Sequence, residues 1–273
     1  MSNFASVCIS SYNRPVLLEC CLQSLWENTH YPHEIIVHDD GSRKETTDFL
    51  YAAMRAGKIG PLIMSPTDYN RGLGTSVNRA VDISEGKYIV KINGDDKFSP
   101  GWLRTGVRAL EAFPEIGLLH LAYYDYTALW NLRYPDNPKA SAIDYYTLHR
   151  ETRDGITIRV VWCAPGDAFM WTRKLWNKVG PWDSGYNLSF GEDVDFRTRI
   201  CSMGRNPVAR PGYALCPPTI EELPAYWEKY KDTPWMAVLE PTVVDFSWGD
   251  GLSIVAEAQK TLRRGPLLHG GQE

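Results

Sequence analysis

Four short apolar runs in the first third of this chain, each followed by a stretch of helical periodicity or a helix-opening loop, leave very few architectures open. Residues 5–10, 34–38, 62–65 and 88–92 read as strands by their β-branched and aromatic bias. After Pro15, a residue suited to a first helical turn, Leu17, Leu18, Cys21, Leu22 and Leu25 recur at helical spacing. Residues 48–56 and 75–84 predict two further helices. Such alternation implies an α/β fold with a single Rossmann-like, doubly wound, mostly parallel sheet and helices on both faces. Right-handed crossovers then bring the carboxyl ends of the strands to one edge, where open α/β sheets bind ligands.

Two of those strand ends are acidic: Asp39-Asp40-Gly41-Ser42 and Asn93-Gly94-Asp95-Asp96. Adjacent carboxylates repel each other and are costly to desolvate unless a cation neutralises them, and hard oxygen donors suit Mg²⁺ or Mn²⁺. Each motif alone also fits a solvated turn. Two on one predicted edge, together with Tyr12 and the loop 70–74, point to a shared cleft.

Composition narrows the function classes. With 273 residues, 44% hydrophobic and 23% charged, the chain can bury one sizeable core or two fused halves. A net charge of -4 provides no general basic field for nucleic acid or membrane surfaces. The six cysteines show no C-x-x-C pair and no metal-ligand spacing, which fits reduced thiols. No apolar run approaches the ~18 residues of a membrane span, and no signal-peptide pattern opens the chain, so a cytoplasmic location is expected.

The second half predicts a helix from Ser99-Pro100 to just before Pro114, strands at 116–124, 157–163 and 168–172, and a short helix at 173–179 stopped by Gly180-Pro181. A further helix opens at Gly191-Glu192-Asp193. Residues 125–155 show no clear period and read as a substrate-facing excursion. Beyond Cys216, Pro217, Pro218, Pro224, Pro234 and Pro241 suggest an appended arm. The expected division is 1–98 and 99–215 as two halves of one domain, and 216–273 as a C-terminal extension. His120, in an apolar strand, reads as a core residue, and Trp182 as either core packing or an acceptor wall.

Ser11-Tyr12-Asn13-Arg14-Pro15, Asp39-Asp40-Gly41-Ser42, Asn70-x-Gly72, Asn78-x-Ala80, Gly94-Asp95-Asp96 and Gly191-Glu192-Asp193-x-Asp195-Phe196-x-x-Arg199 occur in the order and spacing of family 2 glycosyltransferases, which the chain resembles over about residues 5–210. The resemblance implies a GT-A fold and a metal-dependent, inverting transfer of sugar from a nucleotide-diphosphate sugar, most simply a UDP-sugar, to an acceptor hydroxyl. It gives Tyr12 the role of stacking on the base and Asp40 that of reading the base edge, with Ser10, Arg14, Asn70, Gly72 and Asp95 completing the nucleotide-sugar site. Asp96, with Asp95, would hold Mn²⁺ or Mg²⁺. Asp193 would be the catalytic base, with Glu192 helping to position the acceptor.

The chemistry is consistent with those roles. A departing nucleoside diphosphate gathers negative charge that a divalent cation stabilises, and a separate carboxylate must take the acceptor's proton. One departure stands out: many family members add a C-terminal histidine to the metal, yet none lies between Arg150 and Pro266 here, which leaves the third protein ligand open, with His269 only a remote candidate. A sugar nucleotidylyltransferase is an alternative, since Gly72-Leu73-Gly74-Thr75 echoes its glycine loop, although that loop should follow the first strand. A catalytically silent protein of the same fold is another. The acceptor, whether glycan, lipid-linked sugar, protein or nucleic acid, is not written in these residues.

Overall fold

The computed structural model describes residues 3–98, 100–121, 147–161, 168–186, 191–201 and 235–240. The first half follows the predicted alternation: β1 (Ala5–Ser11), α1 (Pro15–Asn28), β2 (His33–Asp39), α2 (Lys44–Arg55), β3 (Leu62–Met64), α3 (Leu73–Asp82) and β4 (Tyr88–Asn93). The second half adds α4 (Trp102–Ala112), β5 (Ile116–His120), β6 (Thr147–Arg153), β7 (Ile156–Val161), β8 (Phe169–Thr172), α5 (Arg173–Val179), α6 (Glu192–Cys201) and β9 (Trp235–Glu240).

All nine strands form one sheet in the order β3-β2-β1-β4-β8-β5-β9-β7-β6. The first four neighbours are parallel, and only β7 and β8 run against the rest. A core lies on each face. On one, Leu18, Leu22 and Leu25 of α1 and Leu103, Val107 and Leu110 of α4 meet Val7, Ile9, Val90 and Ile92. On the other, Val77, Ala80 and Val81 of α3 and Phe196 and Ile200 of α6 meet Cys8, Ile36, Ile89 and Trp171. Each fully buried leucine contributes about 1.5 to 3 kcal/mol, so the helical stripes visible in the sequence are what dock these helices.

Three elements differ from the sequence-based expectation. Helix α2 begins at Lys44, four residues ahead of the predicted start, because Lys44, Glu45 and Thr47 extend it on its exposed side. The supposedly irregular stretch 125–155 ends in a strand, β6, which pairs with β7 across a turn where Asp154 and Gly155 both take positive φ. Its sequence, TLHRETR, is polar because β6 is an edge strand at the end of the sheet, and charged edges resist pairing with other chains. Residues 125–146 of that stretch lie outside the described residues. Third, Trp235–Glu240, within the supposed C-terminal arm, forms β9 between β5 and β7.

Candidate active site

Strand register builds the cleft. Ser10 pairs with Asn93 and Ser11 with Asp39, so Tyr12, Asp40 and Gly94-Asp95 follow directly past the ends of three adjacent strands. The chain leaves β1 through two left-handed residues, Asn13 (φ 58) and Arg14 (φ 57), a conformation that costs about 1 to 3 kcal/mol per residue outside glycine. Neighbouring groups hold it in place. The Asn13 amide donates to Ser42 Oγ at 2.6 Å, and the Arg43 amide donates to Asn13 Oδ1 at 3.0 Å. Ser42 in turn donates its amide and hydroxyl to the fully buried Asp39. The first carboxylate of the pair is thus a structural Asx turn.

Asp40 does something else. It is 3% exposed, and its Oδ2 accepts the amides of Arg71 at 2.9 Å and Gly72 at 2.8 Å while Oδ1 accepts Ser65 Oγ at 3.3 Å. Asn70 Oδ1 also accepts the Gly72 amide, at 2.8 Å. The loop opening α3 is therefore hung on β2. Nearby His38 is buried, and burial pushes its pKa down against the opposing pull of Asp40. Gly41 (φ +90) makes this approach feasible: a methyl group there would lie 2.6 Å from the Pro66 carbonyl oxygen. Gly41→Ala should cost about 1 to 3 kcal/mol from the backbone alone; a melting temperature unchanged in differential scanning calorimetry would contradict this.

The second acidic end is different again. Asp95 is partly exposed and its Oδ2 accepts Arg14 Nη1 at 3.0 Å, across 81 residues of sequence. Asp96 is 3% exposed, and its Oδ2 accepts the Asn93 amide at 2.9 Å. Asn93 Oδ1 accepts the ammonium of the fully buried Lys91 at 2.7 Å. The negative field is felt by Cys21, whose thiol is pushed well up, first by burial and then by Asp96 and Asp95. Among the described residues no group of three or more His, Cys, Asp or Glu closes round a metal position. A carboxylate pair with one exposed member instead fits Mg²⁺ or Mn²⁺, ions that commonly take one or two carboxylates and complete their shell with substrate phosphates and water.

On the opposite side, α6 opens with Glu192, Asp193 and Asp195. Gly74 lets its start abut the first turn of α3: a methyl group on Gly74 would lie 3.1 Å from the Asp183 carbonyl oxygen and 3.6 Å from Glu192 Cβ. Glu192 is 3% exposed. Asn78 clamps the same region, exchanging hydrogen bonds of 2.8 Å with the Trp182 main chain in both directions. Trp182 itself is buried on Phe196, with ring centroids 5.6 Å apart, so it packs in the core. His120 is also core, 5.3 Å from the Phe169 ring. Arg199 pairs with Asp195 and donates to the carbonyls of Val179 and Pro181, docking α6 on the end of α5.

The structure thus gathers Arg14, Asp40, Asn70, Gly72, Asp95 and Asp96 on one rim, with the exposed Tyr12 beside them, and carries Glu192 to the same cleft through Gly74. Tyr12 is 44% exposed, and Ser10 is partly buried at the end of β1. His269 lies outside the described residues. Sequence reasoning missed the role of Asp39, the Asn78 clamp, and Arg197, which bonds Asp193 at 3.0 Å; only the last carried a readable signal, the four-residue spacing of opposite charges on one helix.

A family model described as glycosyl transferase family 2 matches residues 6–176. The amylovoran biosynthesis glycosyltransferase AmsE of Erwinia amylovora is 30% identical over 123 residues, covering 44% of this chain and 46% of that protein. An uncharacterised Mycobacterium tuberculosis protein is 31% identical over 113 residues, 41% of this chain and 34% of its own length. The chain therefore spans less than half of these relatives. Among solved structures, a mannosyltransferase of Pyrobaculum calidifontis in complex with GDP-Man and Mn²⁺ superposes with a TM-score of 0.54 at 17% identity, over 97% of this chain and 66% of that one. Staphylococcus aureus TarS in complex with UDP-GlcNAc gives a TM-score of 0.50 at 16% identity, over 90% and 57%. These two show a shared fold.

Proposed function

The chain belongs to glycosyl transferase family 2, and from that premise we propose that it transfers a sugar from a UDP-sugar to an acceptor hydroxyl in one inverting displacement. The observation that carries this reading is the presence of two separate carboxylate sets in one cleft. Asp95 and Asp96 end β4, while Glu192 and Asp193 open a helix packed on α3 at Gly74. Tyr12 offers an exposed ring for the base, and Asp40 holds the loop 70–72 against which the nucleotide would lie. The bound GDP-Man, UDP-GlcNAc and Mn²⁺ of the structural neighbours favour a nucleotide-sugar with a divalent cation.

In the proposed reaction Asp193 takes the acceptor's hydroxyl proton, the acceptor oxygen bonds the anomeric carbon, and the carbon–phosphate-oxygen bond breaks with its electron pair leaving on UDP. A divalent cation held by Asp96 and Asp95 would act there as a Lewis acid on the diphosphate. Arg14 would release Asp95 on cation binding and be free to meet phosphate oxygens. The experiment is product analysis. Release of UDP from UDP-sugars is expected; release of pyrophosphate from UTP and a sugar phosphate would support a nucleotidylyltransferase instead, and neither release would favour a silent member.

A further inference from the structure

Two arginines on α6 have different tasks. Arg199 spends its guanidinium on main-chain carbonyls of the α5–α6 connection, so its pair with Asp195 belongs to the docking of the helix. Arg197 instead turns back on the first turn of its own helix. Its Nη2 donates to Asp193 Oδ2 at 3.0 Å and its Nε to the Asp193 carbonyl oxygen at 3.2 Å. The pair is largely withdrawn from water, with side-chain exposures of 11% for Arg197 and 19% for Asp193. Among the described residues Arg197 is the only hydrogen-bond donor on that carboxylate, which leaves Oδ1 for a ligand.

We propose that Arg197 is a positioning residue for the transfer reaction: it fixes the Asp193 carboxylate through Oδ2 so that Oδ1 faces the acceptor hydroxyl. This rests on the reading of Asp193 as the base. A carboxylate with free rotation about its side-chain bonds spends most of its time misaimed, and a misplacement of about 1 Å can cost on the order of 10²-fold in rate. A charge-assisted bond to the oxygen that does not react removes that freedom. When the proton moves, the acceptor O–H bond breaks and an O–H bond forms on Oδ1, while Oδ2 keeps its partner. A pair that only pinned the helix would show its loss in the melting temperature and leave turnover of the folded protein almost untouched.

The test measures UDP release from UDP-glucose and UDP-N-acetylglucosamine with water as acceptor, on the full chain and on Arg197→Met, Arg197→Lys, Asp193→Asn and the double variant Asp193→Asn/Arg197→Met. Arg197→Met is expected to lower kcat by roughly 10- to 100-fold, with KM for the donor and the melting temperature unchanged, and Arg197→Lys to recover part of the loss. The double variant should be no slower than Asp193→Asn alone, because residues acting as a unit are not additive. Three outcomes overturn the proposal: kcat of Arg197→Met within twofold of the unsubstituted protein, a loss of kcat that tracks a fall in melting temperature, or additive losses in the double variant. If Asp193→Asn itself turns over normally, the base reading falls and the role of Arg197 falls with it.

Discussion

Asp193→Asn is expected to lower sugar transfer by roughly 10² to 10⁴-fold while donor affinity stays within a factor of about two, since general-base catalysis contributes in that range. The substitution keeps the shape and keeps an oxygen acceptor for Arg197, so it removes basicity more cleanly than Ala would. Asp193 sits in the first turn of α6, where a negative charge is worth about 0.3 to 1 kcal/mol. That loss is too small to unfold a domain of ordinary stability. Calorimetry of UDP binding and UDP release on one preparation separate the two effects. A variant that transfers at the unsubstituted rate would remove Asp193 as base, and the adjacent buried Glu192 would become the carboxylate to test, with Glu192→Gln.

The second large effect concerns the cation. UDP with Mn²⁺ at about a hundred times its dissociation constant should stabilise the protein by about 2.7 kcal/mol, a shift of several degrees in melting temperature. Chelation should abolish most of that shift, and so should Asp96→Ala. Because Asp96 Oδ2 also accepts the Asn93 amide, Ala disturbs the turn itself. Asp96→Asn keeps that acceptor while removing the charge, and it should show the same loss of metal dependence with a normal melting temperature in the absence of ligand. Equal stabilisation by UDP in Mn²⁺ and in chelator would rule the metal reading out.

Much of the first half of the fold is legible in the sequence alone. The helical stripe of Leu18, Cys21, Leu22 and Leu25 and the apolar run of β4 are patterns that burial on one or both faces dictates. Polar strands are harder to read: β6, an edge strand with one neighbour, places His149, Arg150 and Glu151 in succession, and nothing in TLHRETR signals a ladder. At the candidate site, residue types pointed to strand ends that the structure sets side by side, yet they could not divide the labour between Asp39 and Asp40. That division depends on which carboxylate faces Ser42 and which faces the amides of residues 71 and 72, a matter of strand register. Asn78 and Trp182, 104 residues apart, were equally opaque, because such a clamp leaves no local period.

The last of the described strands in the sequence is interior in space. β5 and β7 do not touch along their lengths; each is hydrogen-bonded to β9, which slots between them after the other described elements have been synthesised. A ribosome that has delivered the residues up to 201 has produced every helix described and eight strands of the sheet, but two of those strands still expose raw edges toward each other across a gap. Until residues 235–240 emerge, that slit is a template for any passing β segment. The sheet is therefore completed only once residue 240 has been made, and a premature stop ahead of residue 235 would yield an aggregating fragment even though both acidic strand ends and the start of α6 were already in place.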